Sequence, residues 1–230
     1  GSGGIAQADQ TALATWNYAG NASNVISGSN LGLAAADLLL TGRDQLVVVT
    51  EINGSLNTRV LRYHLLEYED ANYDGFLTVQ AGHSGWASTI YNDAIGASID
   101  SFGINSVENI EIDAGDVIDS AQAELVLHAQ IVGSSNVSII AQRLYRFRTP
   151  RDANNNITAI QFETLDTQRA QDNNQDGLLS WEAAIGNIDS VSPSEIVIAR
   201  AVPGNQEFRV EAYKAARYDD GLLLDAGAVP

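Results

Sequence analysis

The chain has 230 residues with 29 acidic against 12 basic side chains and a formal charge of -17, so its surface repels nucleic-acid phosphates and anionic lipid, and neither is expected as a partner. It contains no cysteine, which excludes disulfides, zinc-thiolate sites and cysteine nucleophiles. No stretch approaches the roughly 20 apolar residues of a membrane-spanning helix, no membrane insertion is expected, and Gly1 to Gly4 reads as an expression remnant rather than a signal peptide.

Along the chain, one pattern recurs three times. The first unit opens on an apolar approach, L-G-L-A-A at Leu31 to Ala35, and continues as A-D-L-L-L-T-G-R-D-Q-L-V-V from Ala36 to Val48. After a turn at Asn53-Gly54 comes a second β-rich run, T-R-V-L-R-Y-H-L-L-E-Y, from Thr58. The second unit repeats this order: N-I-E-I-D-A from Asn109, G-D-V-I-D-S-A-Q-A-E-L-V-L from Gly115 to Leu127, a turn at Gly133-Ser134, and N-V-S-I-I-A-Q-R-L-Y-R-F from Asn136. The third runs W-E-A-A-I from Trp181, G-N-I-D-S-V-S-P-S-E-I-V-I from Gly186 to Ile198, a turn at Pro203-Gly204-Asn205, and E-F-R-V-E-A-Y-K-A from Glu207. Asp or Asn stands second in each core segment (Asp37, Asp116, Asn187), and Gln or Glu follows eight places later (Gln45, Glu124, Glu195). Apolar runs joined by Gly-containing turns predict hairpins. Sustained helical periodicity is scarce, and its best window, Ser88 to Ala97, is interrupted by Asn92 and Gly96. The expectation is all-β, one domain over 1–230, with units near 31–108, 109–180 and 181–230; residues 5–30, including Ala12 to Tyr18, are candidates to complete the last unit.

Two further stretches read D-A-N-Y-D-G at Asp70 to Gly75 and D-N-N-Q-D-G at Asp172 to Gly177. Oxygen side chains at alternate positions before a sharply turning glycine suit a calcium ion. The candidate ligands are Asp70, Asn72, Asp74 and the Phe76 carbonyl in one loop, and Asp172, Asn174, Asp176 and the Leu178 carbonyl in the other. Position twelve, where an EF-hand places a bidentate carboxylate, is Ala81 or Ala183. Glu182, one place early, favours calcium at Asp172 over Asp70. The competing reading is an Asx-rich turn, which selects the same residues. A shorter version, D-A-N-N-N at Asp152 to Asn156, lacks the glycine and final carboxylate and reads as a turn.

Little else points to catalysis. His64 and His128 fall within expected strands, where a hydrogen-bonded or solvent-facing histidine is the ordinary case. His83 lies in G-H-S-G-W, whose fifth residue, Trp86, replaces the glycine of a nucleophile elbow, so Ser84 is not expected to be a nucleophile. No phosphate-cradling loop or His-x-x-x-His pair occurs, and an enzyme is not expected. Among the aromatics, Trp181 reads as structural, whereas Trp16 and Trp86 are candidate ligand contacts able to stack on sugar rings or pack against protein.

The approach strand, the loop opening on Gly-Asp and the apolar strand after it resemble the FG-GAP or VCBS repeat family, most closely in I-D-A-G-D-V-I-D-S-A-Q-A-E-L-V-L from Ile112 and then in the segment from Trp181. The resemblance implies a β-propeller-like array of three repeat units; a β-sandwich is the alternative. It also implies a noncatalytic, extracellular or cell-surface module, calcium-stabilised, that binds protein or glycan. This chain departs from the family's D-x-D-G core in all three loops, which are therefore expected to be turns rather than calcium cages. Three units fall short of the about 4 to 8 blades of a propeller, so self-association to close a ring is a further expectation. An architectural segment without its own ligand, and a hydrolase whose carboxylates assemble only in space, are the alternative functions.

Overall fold

The computed structural model describes residues 31–53, 59–68, 78–79, 86–94, 104–118, 122–133, 138–171, 181–191, 193–202, 207–218 and 221–225. These residues form thirteen strands and no helix, in three antiparallel sheets, none of them closed into a barrel.

The first sheet contains β1 (Leu31–Ala36), β2 (Gln45–Asn53), β3 (Arg59–Tyr68), β4 (Thr78–Val79) and β5 (Trp86–Ala94), in the order β1-β2-β3-β5-β4. The second is a meander of β6 (Ile104–Gly115), β7 (Glu124–Gly133), β8 (Ser138–Arg148) and β9 (Gln161–Gln171). The third is a meander of β10 (Trp181–Gly186), β11 (Glu195–Val202), β12 (Glu207–Tyr218) and β13 (Gly221–Asp225). In each unit the approach, the apolar strand and the second strand expected from sequence pair in register: Ala36 with Gln45, Gly115 with Glu124 and Gly186 with Glu195 close the three equivalent turns. The second sheet begins at Ile104, ahead of the expected approach, because β6 runs through a bulge. The register shifts between Glu108 and Ile110, and Asn109 between them takes φ 47. Asparagine tolerates that left-handed geometry, and its side-chain amide donates to Oε1 of Gln130 at 3.2 Å.

Alternation along the strands decides the packing. On the second sheet Leu125, Leu127 and Ala129 point one way and pack with Val47, Val49, Leu61, Tyr63 and Leu65 of the first sheet. Val126, between them, points the other way and packs with Val117, Ile118, Leu144 and, from the third sheet, Ile196 and Ile185. β7 is buried on both faces because both are covered, and His128 and Gln130 are buried beside Val126 on the second of them. The larger core is closed by five rings, Tyr63 and Tyr91 from the first sheet with Tyr145, Phe147 and Phe162 from the second. Tyr145 stacks on Phe162 at 4.8 Å, and the hydroxyls of Tyr63 and Tyr145 hydrogen-bond at 2.8 Å.

The opening strands of the three sheets lie side by side, β6 against both β1 and β10. Glycine makes that approach possible: a Cβ on Gly32 would stand 2.8 Å from Cγ2 of Ile112, and one on Gly115 would stand 2.6 Å from Cγ2 of Ile185. Asp113 joins the same seam. Its Oδ2 accepts the Ile185 amide of β10 at 2.6 Å, satisfying an edge-strand donor that the third sheet leaves over.

Candidate functional site

The turns after β1, β6 and β10 gather at one end of the three sheets. All three are built alike. The Gln or Glu eight places after the Asp or Asn is fully buried in each unit, Gln45, Glu124 and Glu195, and turns back to accept a backbone amide of its own loop. Leu39 donates to Gln45 Oε1 at 3.0 Å, Val117 to Glu124 Oε2 at 3.1 Å, and Ile188 to Glu195 Oε2 at 2.9 Å. In the first loop the Gln45 amide also donates to the Arg43 carbonyl at 2.8 Å and to Thr41 Oγ1 at 3.1 Å.

Carboxylates at the loop mouths are occupied by the chain itself. Asp37 accepts the amides of Thr41 and Gly42, each at 2.7 Å, and Asp189 accepts the amide of Val191 at 2.8 Å. Asp152 accepts the amides of Asn156 at 2.9 Å and Asn154 at 2.8 Å. These bonds, the Asn156 amide foremost, hold its carboxyl below the ordinary aspartate value. The turn expected at Asp152 to Asn156 is thus present. Arg151 at its base donates to the carbonyls of Leu39 at 3.1 Å and Leu40 at 2.9 Å, fastening it to the turn after β1.

Neighbouring loops are tied across sheets as well. Gln122 donates through Nε2 to the Leu38 carbonyl at 2.6 Å and to the Phe147 carbonyl, and the Ser194 amide donates to the Asp116 carbonyl at 2.9 Å. The three loops are thereby tied one to the next. Leu40, Ile188 and Val191 are exposed on them. Leu40 and Ser190 are equivalent positions, and both adopt the left-handed region, φ 55 and φ 63. For leucine this conformation is strained, since its Cβ crowds the following carbonyl.

No family model, no characterised protein and no solved structure matches this chain.

Of the residues singled out in the sequence, Asp70, Asn72, Asp74, Phe76, Asp172, Asn174, Asp176, Leu178 and Trp16 lie outside the described residues, as do His83 and Ser84. Glu182 is exposed on β10, and the Trp86 backbone pairs with Tyr68 at the start of β5. Among the described residues no group of three His, Asp or Glu side chains could hold a metal ion, and no helix is long and apolar enough to cross a membrane.

His64 and His128 are buried rather than solvent-facing. Burial lowers both to about 4, helped at His64 by the nearby Arg62 charge. A histidine whose folded value lies below its unfolded value, 6.5, contributes stability that is complete above that value and is lost as pH falls toward the folded one. Glu111 acts in the opposite sense, raised by burial and then by Glu182. At about 1.4 kcal/mol for each tenfold difference in proton affinity, the histidines dominate, with an upper bound of roughly 3 kcal/mol for His128 and less for His64. Urea unfolding is expected to show stability falling between pH 7 and pH 5, a slope that His128→Gln reduces. A flat profile over that interval would refute the account.

The sequence pointed to the turns after β1, β6 and β10 but not to the apolar side chains exposed on them. The available signal was their setting: Leu40, Ile188 and Val191 stand among turn formers, not within an alternating run.

Proposed function

We propose that the chain is a noncatalytic interaction module, a divergent member of the FG-GAP or VCBS kind, whose three sheets are blades of a propeller-like array. The observation that carries this reading is the gathering of three equivalently braced loops on one end, where cross-sheet hydrogen bonds tie together the loops that expose Leu40, Ile188 and Val191. The meander order of the second and third sheets and the adjacency of β1, β6 and β10 support the array.

Exposed aliphatic side chains on a rigid loop frame favour a protein partner over a glycan. Loop carboxylates already committed to backbone amides are poorly suited to acid-base work, which favours binding over hydrolysis. The D-x-N-x-D-G segments serve as calcium loops, a role suited to an extracellular, cysteine-free domain. Extracellular modules bind calcium with Kd of about 10⁻⁴ to 10⁻³ M, so about 5 mM calcium is expected to add about 1 to 2 kcal/mol and raise the melting midpoint by roughly 2 to 8 °C over a chelated sample. Asp172→Ala or Asp176→Ala abolishes most of that rise. If the midpoint ignores calcium in the unaltered chain, the metal is removed from the proposal.

A further inference from the structure

We infer that Leu40 is the anchor of the protein-binding surface, a projecting side chain that enters an apolar pocket with a basic rim on the partner. The inference rests on the reading of the chain as an interaction module, and it names the decisive residue and the kind of partner at that same site.

Leu40 sits where folding alone favours another residue. At φ 55 its Cβ crowds the following carbonyl, a conformation disfavoured for L-residues by about five- to thirtyfold. Its side chain is also 43% exposed, whereas the two leucines before it, Leu38 and Leu39, are fully buried and supply the core contact of the turn. Among the described residues the other left-handed positions are taken by Gly42, Asn109, Asn155 and Ser190, all of them glycine or small polar residues. Leu40 is the one large apolar side chain in that set.

The backbone around it is held from every side. The Leu38 carbonyl accepts from Gln122, and those of Leu39 and Leu40 accept from Arg151. The amides of Thr41 and Gly42 donate to Asp37, and the Leu39 amide donates to Gln45. Strain of this kind persists only where its surroundings over-determine it, and it collects at recognition sites. Leu40 is thus fixed before a partner arrives, which lowers the ordering cost of binding. Its placement also selects the partner. Sugars and small molecules bind in concave sites; an aliphatic side chain displayed on a tight turn needs a partner that brings the pocket. Asp44 of the same turn and Asp152 of the turn fastened to it are exposed, as is Arg43, while the Arg151 guanidinium is turned onto the carbonyls of Leu39, Leu40 and Asn155. With a chain charge of -17 behind them, these carboxylates favour a pocket rimmed by lysine or arginine.

The test has two arms. In urea unfolding, Leu40→Gly is expected to be about fivefold more stable than Leu40→Ala, because alanine keeps the strained Cβ and glycine does not; at an unstrained position the order reverses. For binding, the probe is a phage-displayed library of ankyrin-repeat proteins randomised over their concave face, selected on the unaltered chain. Most selected clones are expected to carry a net positive randomised face, to weaken as salt is raised, and to lose at least about tenfold in affinity for Leu40→Ala. Leu33→Ala, which alters a side chain 62% exposed on β1, is expected to leave them unchanged. Alanine more stable than glycine at this position, or clones that bind Leu40→Ala as tightly as the unaltered chain, would overturn the inference, and acidic clones would overturn its basic rim. Clones indifferent to Leu40→Ala but lost on Ile188→Ala or Val191→Ala overturn the anchor and leave the proposed function standing; clones indifferent to all three overturn both.

Discussion

Tyr145→Ala is expected to destabilise the protein by about 4 kcal/mol, a large share of the roughly 5 to 15 kcal/mol that holds a domain together. Tyr145 is fully buried where the first and second sheets meet. Its ring lies 5.1 Å from that of Tyr63, edge to face, and 4.8 Å from that of Phe162, stacked. Truncation removes the apolar contact of a whole ring, two favourable aromatic geometries and the 2.8 Å hydroxyl bond to Tyr63. Neighbouring side chains stand on paired strands and cannot collapse into the space. Tyr145→Phe keeps the ring and gives up the hydroxyl bond alone, for which about 1 kcal/mol is expected. Urea titrations measure both. A loss below about 1 kcal/mol for the alanine variant would mean that the two sheets are not held together at this cluster.

The second large effect is expected at Glu124, where the comparison between two replacements is more telling than either one. Glu124→Ala removes the acceptor of the buried Val117 amide and leaves a cavity behind the loop. An abandoned buried donor costs about 1 to 3 kcal/mol, and with the lost packing about 3 kcal/mol in total is expected. Glu124→Gln should change stability by under about 1 kcal/mol, because a glutamine oxygen can take the same bond. Gln45 already accepts a loop amide in the first sheet, from Leu39 at 3.0 Å, one place further along the loop than the equivalent of Val117. If the glutamine variant proves as unstable as the alanine variant, the residue acts through its charge and not as an amide acceptor.

These two sites also show what could be read in the sequence. The first three strands of every sheet were legible because apolar runs alternate with Gly-containing turns, and β1 and β10 match their expected approaches within a residue. The fourth strands were not. β5, W-A-S-T-I-Y-N-D-A, overlaps the window that came nearest to helical periodicity, and β9, Q-F-E-T-L-D-T-Q-R-A-Q, is largely polar. Such strands sit toward a sheet edge, so pairing rather than hydrophobic pattern defines them. Gln45, Glu124 and Glu195 were visible as recurring letters, yet a polar residue ahead of an apolar run ordinarily reads as surface. Its burial follows from the loop folding over it. Leu40, Ile188 and Val191 were misleading in the opposite direction, since apolar residues suggest core until the turn that displays them is known.

Almost every strand pair in this molecule joins neighbours in sequence, and that bears on how the chain comes to fold. A meander sheet asks only for short loops to be closed, so its pairing entropy is small and its formation fast. The non-local step is docking one finished sheet on the next. Sheets can therefore mature in order from the amino end, each presenting an apolar face that nucleates its successor, much as repeat arrays propagate from unit to unit. The middle sheet is the point of coupling. With one core on each of its faces, it converts three separately assembled sheets into a single cooperative unit, and neither end sheet can leave without uncovering it.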